Sequence, residues 1–192
     1  MSSIVISGDT SGAVTVSAPA IAGTNTLTLQ AATATNAVNT LATAVASTSG
    51  TSIDFTSLPS WIKKITVMFS GVSTSGANNI LIQLGAGSVD SASYNSASAR
   101  TGASAVSTTG YTNGFGVNST NAANVIGGSV FITNLTSNTW VAQGIFADQS
   151  QTNTYTVGGN KALSGTLDRI RITTSGGTDT FDAGTINILY EG

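Results

Sequence analysis

The chain contains no cysteine and no histidine, only two prolines, and charged residues at 7% of its 192 positions. Each scarcity closes off a class of chemistry. Without cysteine no disulfide can staple the fold, so resistance to harsh surroundings has to come from packing and association. Without histidine the usual general base is missing and a Ser-His-Asp triad cannot be built. A formal net charge of −2 and a pI near 4.6 leave no basic stripe to neutralise phosphates, and Lys63, Lys64, Arg100, Lys161, Arg169 and Arg171 are scattered in sequence. Nucleic acid is therefore not expected as a partner. No apolar run reaches the roughly 18 residues of a membrane span, and the opening MSSIVISGDTSG has neither a basic n-region nor a long apolar h-region, so membrane insertion and a secretion signal are not expected either.

What fills the chain instead is Ser, Thr, Gly, Asn and Ala between short apolar runs. Hydrophobic residues make up 40% of the sequence, too many for the low-hydrophobicity, high-charge signature of disorder, so the chain is expected to fold. Its length suits one domain, or one with a small appendage. A shift in character near Gly50 divides it into an N-terminal attachment or oligomerisation segment, residues 1–50, and a β domain, residues 51–192.

In the N-terminal segment, alternating pieces around Ile4 to Ile6, Val14 to Val16 and Thr24 to Leu29 are punctuated by Gly8, Gly12 and Gly23. These read as short strands joined by turns, too small to bury a core alone. Residues 31–46, AATATNAVNTLATAVA, are Ala-rich, and Val38, Leu41 and Val45 stand three and four apart. That spacing fits one face of a helix and a short oligomer seam. An irregular linker is the other reading, since two turns fall short of a coiled coil and isolated helices of this length are marginal.

Beyond Gly50 the period becomes two. Ile65, Val67 and Phe69 share one face of a strand, as do Ile80, Ile82 and Leu84, and Ile186, Ile188 and Tyr190. Weaker strands are predicted at Ser52 to Phe55, Ser129 to Thr133, Thr139 to Phe146 and Arg169 to Thr173. Many short strands with turn signals predict an all-β fold, an antiparallel β-sandwich of jelly-roll-like type. The opposite faces of the three best strands carry Met68, Leu81 and Leu189, where a free monomer would show polar groups. A second subunit covering them, or a second layer within one chain, would account for this.

Residues 85–128 are rich in small polar residues and are expected to form long loops or irregular edge strands of functional use. Tyr94, Tyr111 and Phe115 lie in this stretch and are candidates for receptor contact, because an aromatic ring offers contact area at low entropic cost. They can equally be what pins the loops down. Phe55, Trp61, Phe69, Phe131, Trp140, Phe146 and Phe181 read as core. Asp179 and Asp182 are the nearest carboxylate pair a glycosidase would need, but flanking Gly and Thr favour turn capping. Neither the lysines nor the carboxylates single out a nucleophile or a metal cluster, so no enzyme, cofactor or metal is expected. Sequons at Asn118 and Asn134 carry no weight without a secretion signal.

Two stretches, TSIDFTSLPSWIKKITVMFSGVSTSGANNILIQLG and SGTLDRIRITTSGGTDTFDAGTINILYEG, resemble a family of bacteriophage structural proteins of the tail-fibre-like, virion-appendage kind. The opening ISGDTSGAVTVSAPAIAGTNTLTL resembles an N-terminal motif of phage fibre and appendage proteins. The similar stretches cover somewhat under half of the chain and are framework strands. The resemblance implies a virion location, other virion proteins as partners, and a homotrimer that contributes to adhesion at host-surface polysaccharide or protein. The alternative within the same class is a capsid decoration, or cement, protein. It implies no catalytic residue.

Overall fold

Apolar residues at every second position, with few helix formers between them, leave pairing with neighbouring strands as the way to satisfy the backbone. The computed structural model describes residues 3–7, 13–17, 39–103 and 105–192. Sixteen strands and no helix are found among them. Every pairing is antiparallel.

The chain forms two units. The first, Met1–Asn36, holds a hairpin of β1 (Ser3–Ser7) and β2 (Ala13–Ser17), with Ile4 opposite Val16 and Ile6 opposite Val14. These are two of the three short strands predicted there. The third, around Thr24 to Leu29, lies outside the described residues, as does Val38.

The second unit, Ala37–Gly192, is a β-sandwich, in agreement with the predicted fold class. It begins before the expected boundary at Gly50, because β3 (Asn39–Leu41) and β4 (Val45–Ala46) pair with β16 (Phe181–Glu191). The larger sheet also contains β6 (Lys64–Thr74), β9 (Asn95–Thr101), β10 (Val106–Tyr111), β12 (Ile126–Thr136), β13 (Thr139–Asp148) and β14 (Asn153–Ala162). Its nine strands follow the order β10-β9-β14-β13-β12-β6-β16-β3, with β4 beside β16. The smaller sheet has five strands. It runs β11 (Phe115–Val117), β7 (Ile80–Ala86), β15 (Arg169–Thr174), β5 (Ser52–Thr56), with β8 (Ser88–Val89) at the end of β7.

The inner faces meet in one core. Ile65, Val67, Phe69, Val130, Ile132, Phe146, Ile186 and Ile188 come from the larger sheet, and Ile53, Phe55, Ile80, Ile82, Leu84, Ile170 and Ile172 from the smaller. Each such side chain contributes roughly 1.5–3 kcal/mol on burial, and the period-two reading placed the three strongest strands on the correct inner face. Two register shifts, the first with its extra residue on β16 and the second on β6, bend this strand pair between Phe181 and Thr185. Gly184 in that bend has φ +94°, and a Cβ there would run into the carbonyl of Gly71. Only glycine suits both the left-handed backbone and the close approach.

The helical seam is corrected by this fold. Residues 39–47 run along the edge of β16, where Ala42 N donates to Ile188 O and Ser47 N to Gly184 O, both at 2.9 Å. Leu41 is the register partner of Leu189 and Val45 that of Ile186, so Leu41 points outward, 63% exposed, while Val45 packs on the core. A helix would have put them on one face. A free strand edge offers hydrogen-bond partners to residues 39–47, which outweighs the weak helical preference of a short Ala-rich run.

Candidate functional site

The three rings singled out as receptor contacts are interior. Tyr94 (3% exposed), Tyr111 (6%) and Phe115 (0%) are buried. Phe115 projects inward from β11 beside Ile82 and meets Tyr94 edge-on, with ring centroids 5.2 Å apart. The Tyr94 hydroxyl accepts from Leu84 N at 2.7 Å and donates to Asp90 O at 3.0 Å. Tyr111 lies over Gly116, where a Cβ would run into its ring. Residues 85–128, expected as long loops or irregular edge strands, supply β8 to β11, with β10 and β11 at sheet edges, and these rings anchor them. Small residues suffice to build edge strands when a few aromatics fill the space beneath them.

Leu81 is interior as well, 1% exposed, although it points away from the main core. Its register partner is Gly116, and a Cβ on Gly114 would stand 3.1 Å from Leu81 Cβ. Gln83 Nε2 donates to Asn113 O at 2.7 Å. The chain's own 111–116 segment therefore covers this part of β7, the second layer that was one of the two readings for Leu81.

Met68 and Leu189, the other two outward residues, come together with Leu41 on the outer face of the nine-stranded sheet. The register defines rows across that face. One row runs Leu41, Leu189, Thr66, Phe131, Gln143 and Gly158, and continues to Ala97 and Gly110. The next runs Asn187, Met68, Ser129, Ile145, Thr156 and Ala99 to Thr108. On the other side lie Glu191, Lys64, Thr133, Val141, Asn160 and Asn95.

Phe131 and Val141 are each 39% exposed and Ile145 66%. The reading of Phe131 as core is thus corrected, and that of Trp61 with it: Trp61 is 39% exposed and tilts against Tyr190 at 5.8 Å. Phe131 had a signal in the sequence. In SVFIT the alternation gives Val130 and Ile132 to one face and Phe131 to the other.

The electrostatics of this face are nearly empty. In the three rows the only ionisable groups are Lys64 and Glu191, and they pair with each other at 2.8 Å. Lys64 Nζ also stands 5.5 Å above the Phe131 ring. A groove of about 420 Å³ opens on this face, lined by Phe131, Ile145, Ser129, Gln143, Gly144 and Val157.

No protein-family model, curated protein or solved structure matches the chain. Several polar groups elsewhere among the described residues are engaged in contacts within the fold. Asp179 accepts from Asn78 N at 2.8 Å and from Asn78 Nδ2 at 2.9 Å, while Asp182 accepts from Ser73 Oγ, so both carboxylates tie their turn to the distant β6–β7 region and do not cap local backbone as expected. Lys161, 3% exposed, is held by Asp90 at 2.6 Å and by Ala92 O at 2.7 Å. Asp148 is 2% exposed and takes bonds from Tyr155, Ser150 and Val125 N. Among the described residues no three Asp or Glu side chains gather as a metal site would need. Of the sequon residues, Asn118 is 1% exposed, and Asn134 Nδ2 donates to Ser137 O at 2.9 Å.

Proposed function

We propose that the chain is a non-enzymatic structural protein of a bacteriophage particle, a subunit of a short tail or head fibre that contributes to adhesion at the host surface. The observation that carries the structural part of this reading is the outer face of the nine-stranded sheet, broad, almost free of charge and centred on Phe131 and Ile145. A surface of that kind suits protein contact, and a contiguous exposed apolar patch commonly marks one. The phage part rests on resemblance. Its two longer stretches span β5 to β7 and β15 to β16, the framework of both sheets. Adhesion would work by multivalency, in which several weak sites on one assembly raise avidity without a tight single site.

The burial of Tyr94, Tyr111 and Phe115 favours a second reading, because it leaves an adhesive role without its aromatic contact cluster. A capsid decoration protein needs no receptor site. It stabilises the shell by burying area between capsomers, and the same uncharged face suits that task. Quantitative mass spectrometry of purified particles, with antibody labelling under the electron microscope, separates the two. Few copies at the tail or vertices support the fibre, and copies spread over the shell support decoration. Absence of the chain from particles overturns both.

A further inference from the structure

We propose that the outer face of the nine-stranded sheet is a self-association surface, covered by a second copy of this chain, with Phe131 and Ile145 at its centre. This rests on reading the protein as a structural subunit and names the surface that joins the subunits.

Four observations converge on a second copy as the occupant. The first is pattern. An antiparallel sheet with one face in water places polar residues there, yet Leu41, Met68, Leu189, Phe131, Val141 and Ile145 stand on outward positions of β3, β16, β6, β12 and β13, Leu41 directly beside Leu189 and Phe131 diagonal to Met68, Val141 and Ile145. Thr66, between Leu189 and Phe131 in its row, is only 7% exposed.

The second is size. The main path of the sheet has eight strands in order. Six of them, β9, β14, β13, β12, β6 and β16, are at least seven residues long, and at about 4.8 Å between strands and about 3.4 Å per residue they make a face of roughly 700 Å². Each partner in a standard specific interface contributes roughly the same area.

The third is charge. Lys64 and Glu191 neutralise each other at 2.8 Å, so the three central rows offer nothing to nucleic acid or to a strongly charged protein. A second copy brings the same neutral surface and desolvates no unpaired charge. It also brings its own Lys64 and Glu191, which can exchange partners across the contact.

The fourth is relief. The 420 Å³ groove is lined by Phe131 and Ile145, and at Gly158, paired with Gln143 beside it, a Cβ would meet nothing nearer than Ala142 O at 4.0 Å. Ridge and groove on one face are what a self-complementary contact requires.

The test uses the full chain in sedimentation velocity. The wild type is expected to sediment as an oligomer at micromolar concentration. The double variant Phe131→Asp with Ile145→Asp is expected to associate roughly a hundredfold more weakly or worse, with an unchanged circular dichroism spectrum. Thr56→Asp, on the smaller sheet, should leave assembly as it was.

A second readout does not depend on the double variant folding. The chain has no cysteine, so Ile145→Cys should form a covalent dimer under mild oxidation in far higher yield than Thr56→Cys. A wild-type monomer at about 100 μM, a concentration at which any interface of micromolar Kd would be populated, overturns the proposal. So does a folded double variant that still assembles, or equal crosslinking of the two cysteine variants. Loss of this proposal leaves the chain's presence in particles standing, and absence from particles leaves self-association standing.

Discussion

Lys161 Nζ lies 2.6 Å from Asp90 Oδ2 with only 3% of the lysine side chain in contact with solvent. The same ammonium donates to Ala92 O and stands 5.0 Å from the centre of the Tyr94 ring. The pair ties the end of β14 to the segment that leads into β9. Its loss should be felt as instability of the domain, because a buried ammonium without its counter-ion is costly. Asp90→Asn is expected to lower unfolding free energy by about 2 kcal/mol, less than for a fully enclosed pair because the carboxylate reaches solvent. Urea titration of the variant against wild type checks this.

The same contact contributes to stability in acid. The hydrogen bond from Lys161 holds the Asp90 carboxyl below its ordinary value of 3.8, and the Arg169 guanidinium does the same for Asp168. Both groups bind protons more tightly in the unfolded chain. Their contribution is therefore present above about pH 4 and is lost as pH falls through the lower folded values. Stability measured by denaturant titration should fall in that window, and the fall should be shallower in Asp90→Asn.

At the alkaline end three tyrosines act together. Burial raises Tyr94, and it raises Tyr111 and Tyr155 to about 12, with the charge of Asp148 adding to the effect at Tyr155. A raised phenol contributes stability that is complete below its unfolded value of 10.0 and is lost as pH rises through the folded one. Tyrosinate absorbance of these three rings should therefore appear above pH 10, together with the loss of circular dichroism rather than before it. Ionisation of all three near pH 10 in a still-folded protein would contradict their burial.

Phe115→Ala removes a fully buried ring that packs edge-on against Tyr94, and should cost about 3–5 kcal/mol. Tyr94→Phe should cost about 1–3 kcal/mol, because Leu84 N loses the hydroxyl it bonds at 2.7 Å inside the protein. Thermal unfolding distinguishes this from a contact role. A receptor-binding ring on the surface would change adhesion and leave the melting temperature in place.

Gly184→Ala sets a methyl group against the Gly71 carbonyl at a backbone φ of +94°. Two costs combine there, the left-handed conformation and the clash across the β6–β16 pair. The variant should melt at a clearly lower temperature than Gly165→Ala, whose added methyl would meet only Ala86 Cβ at 3.5 Å.

Alternation of apolar residues determined most of this architecture without help from tertiary contacts. Ile65, Val67 and Phe69, Ile80, Ile82 and Leu84, and Ile186 and Ile188 could bury a common face only as strands, and the scarcity of charge left little but packing to hold them. Three matters were decided elsewhere. Whether Tyr94, Tyr111 and Phe115 face in or out depended on how the 85–117 segment folds back over β7, a long-range event that no local pattern encodes. Whether Leu41 and Val45 share a helix or a strand edge depended on β16, distant in sequence, presenting unpaired backbone to them. The outward apolar face was half legible, since the period of two names Met68, Leu189, Phe131 and Ile145 one strand at a time. Only the register between strands sets them side by side, because neighbours across a sheet are chosen by hydrogen bonding between segments and not by order along the chain.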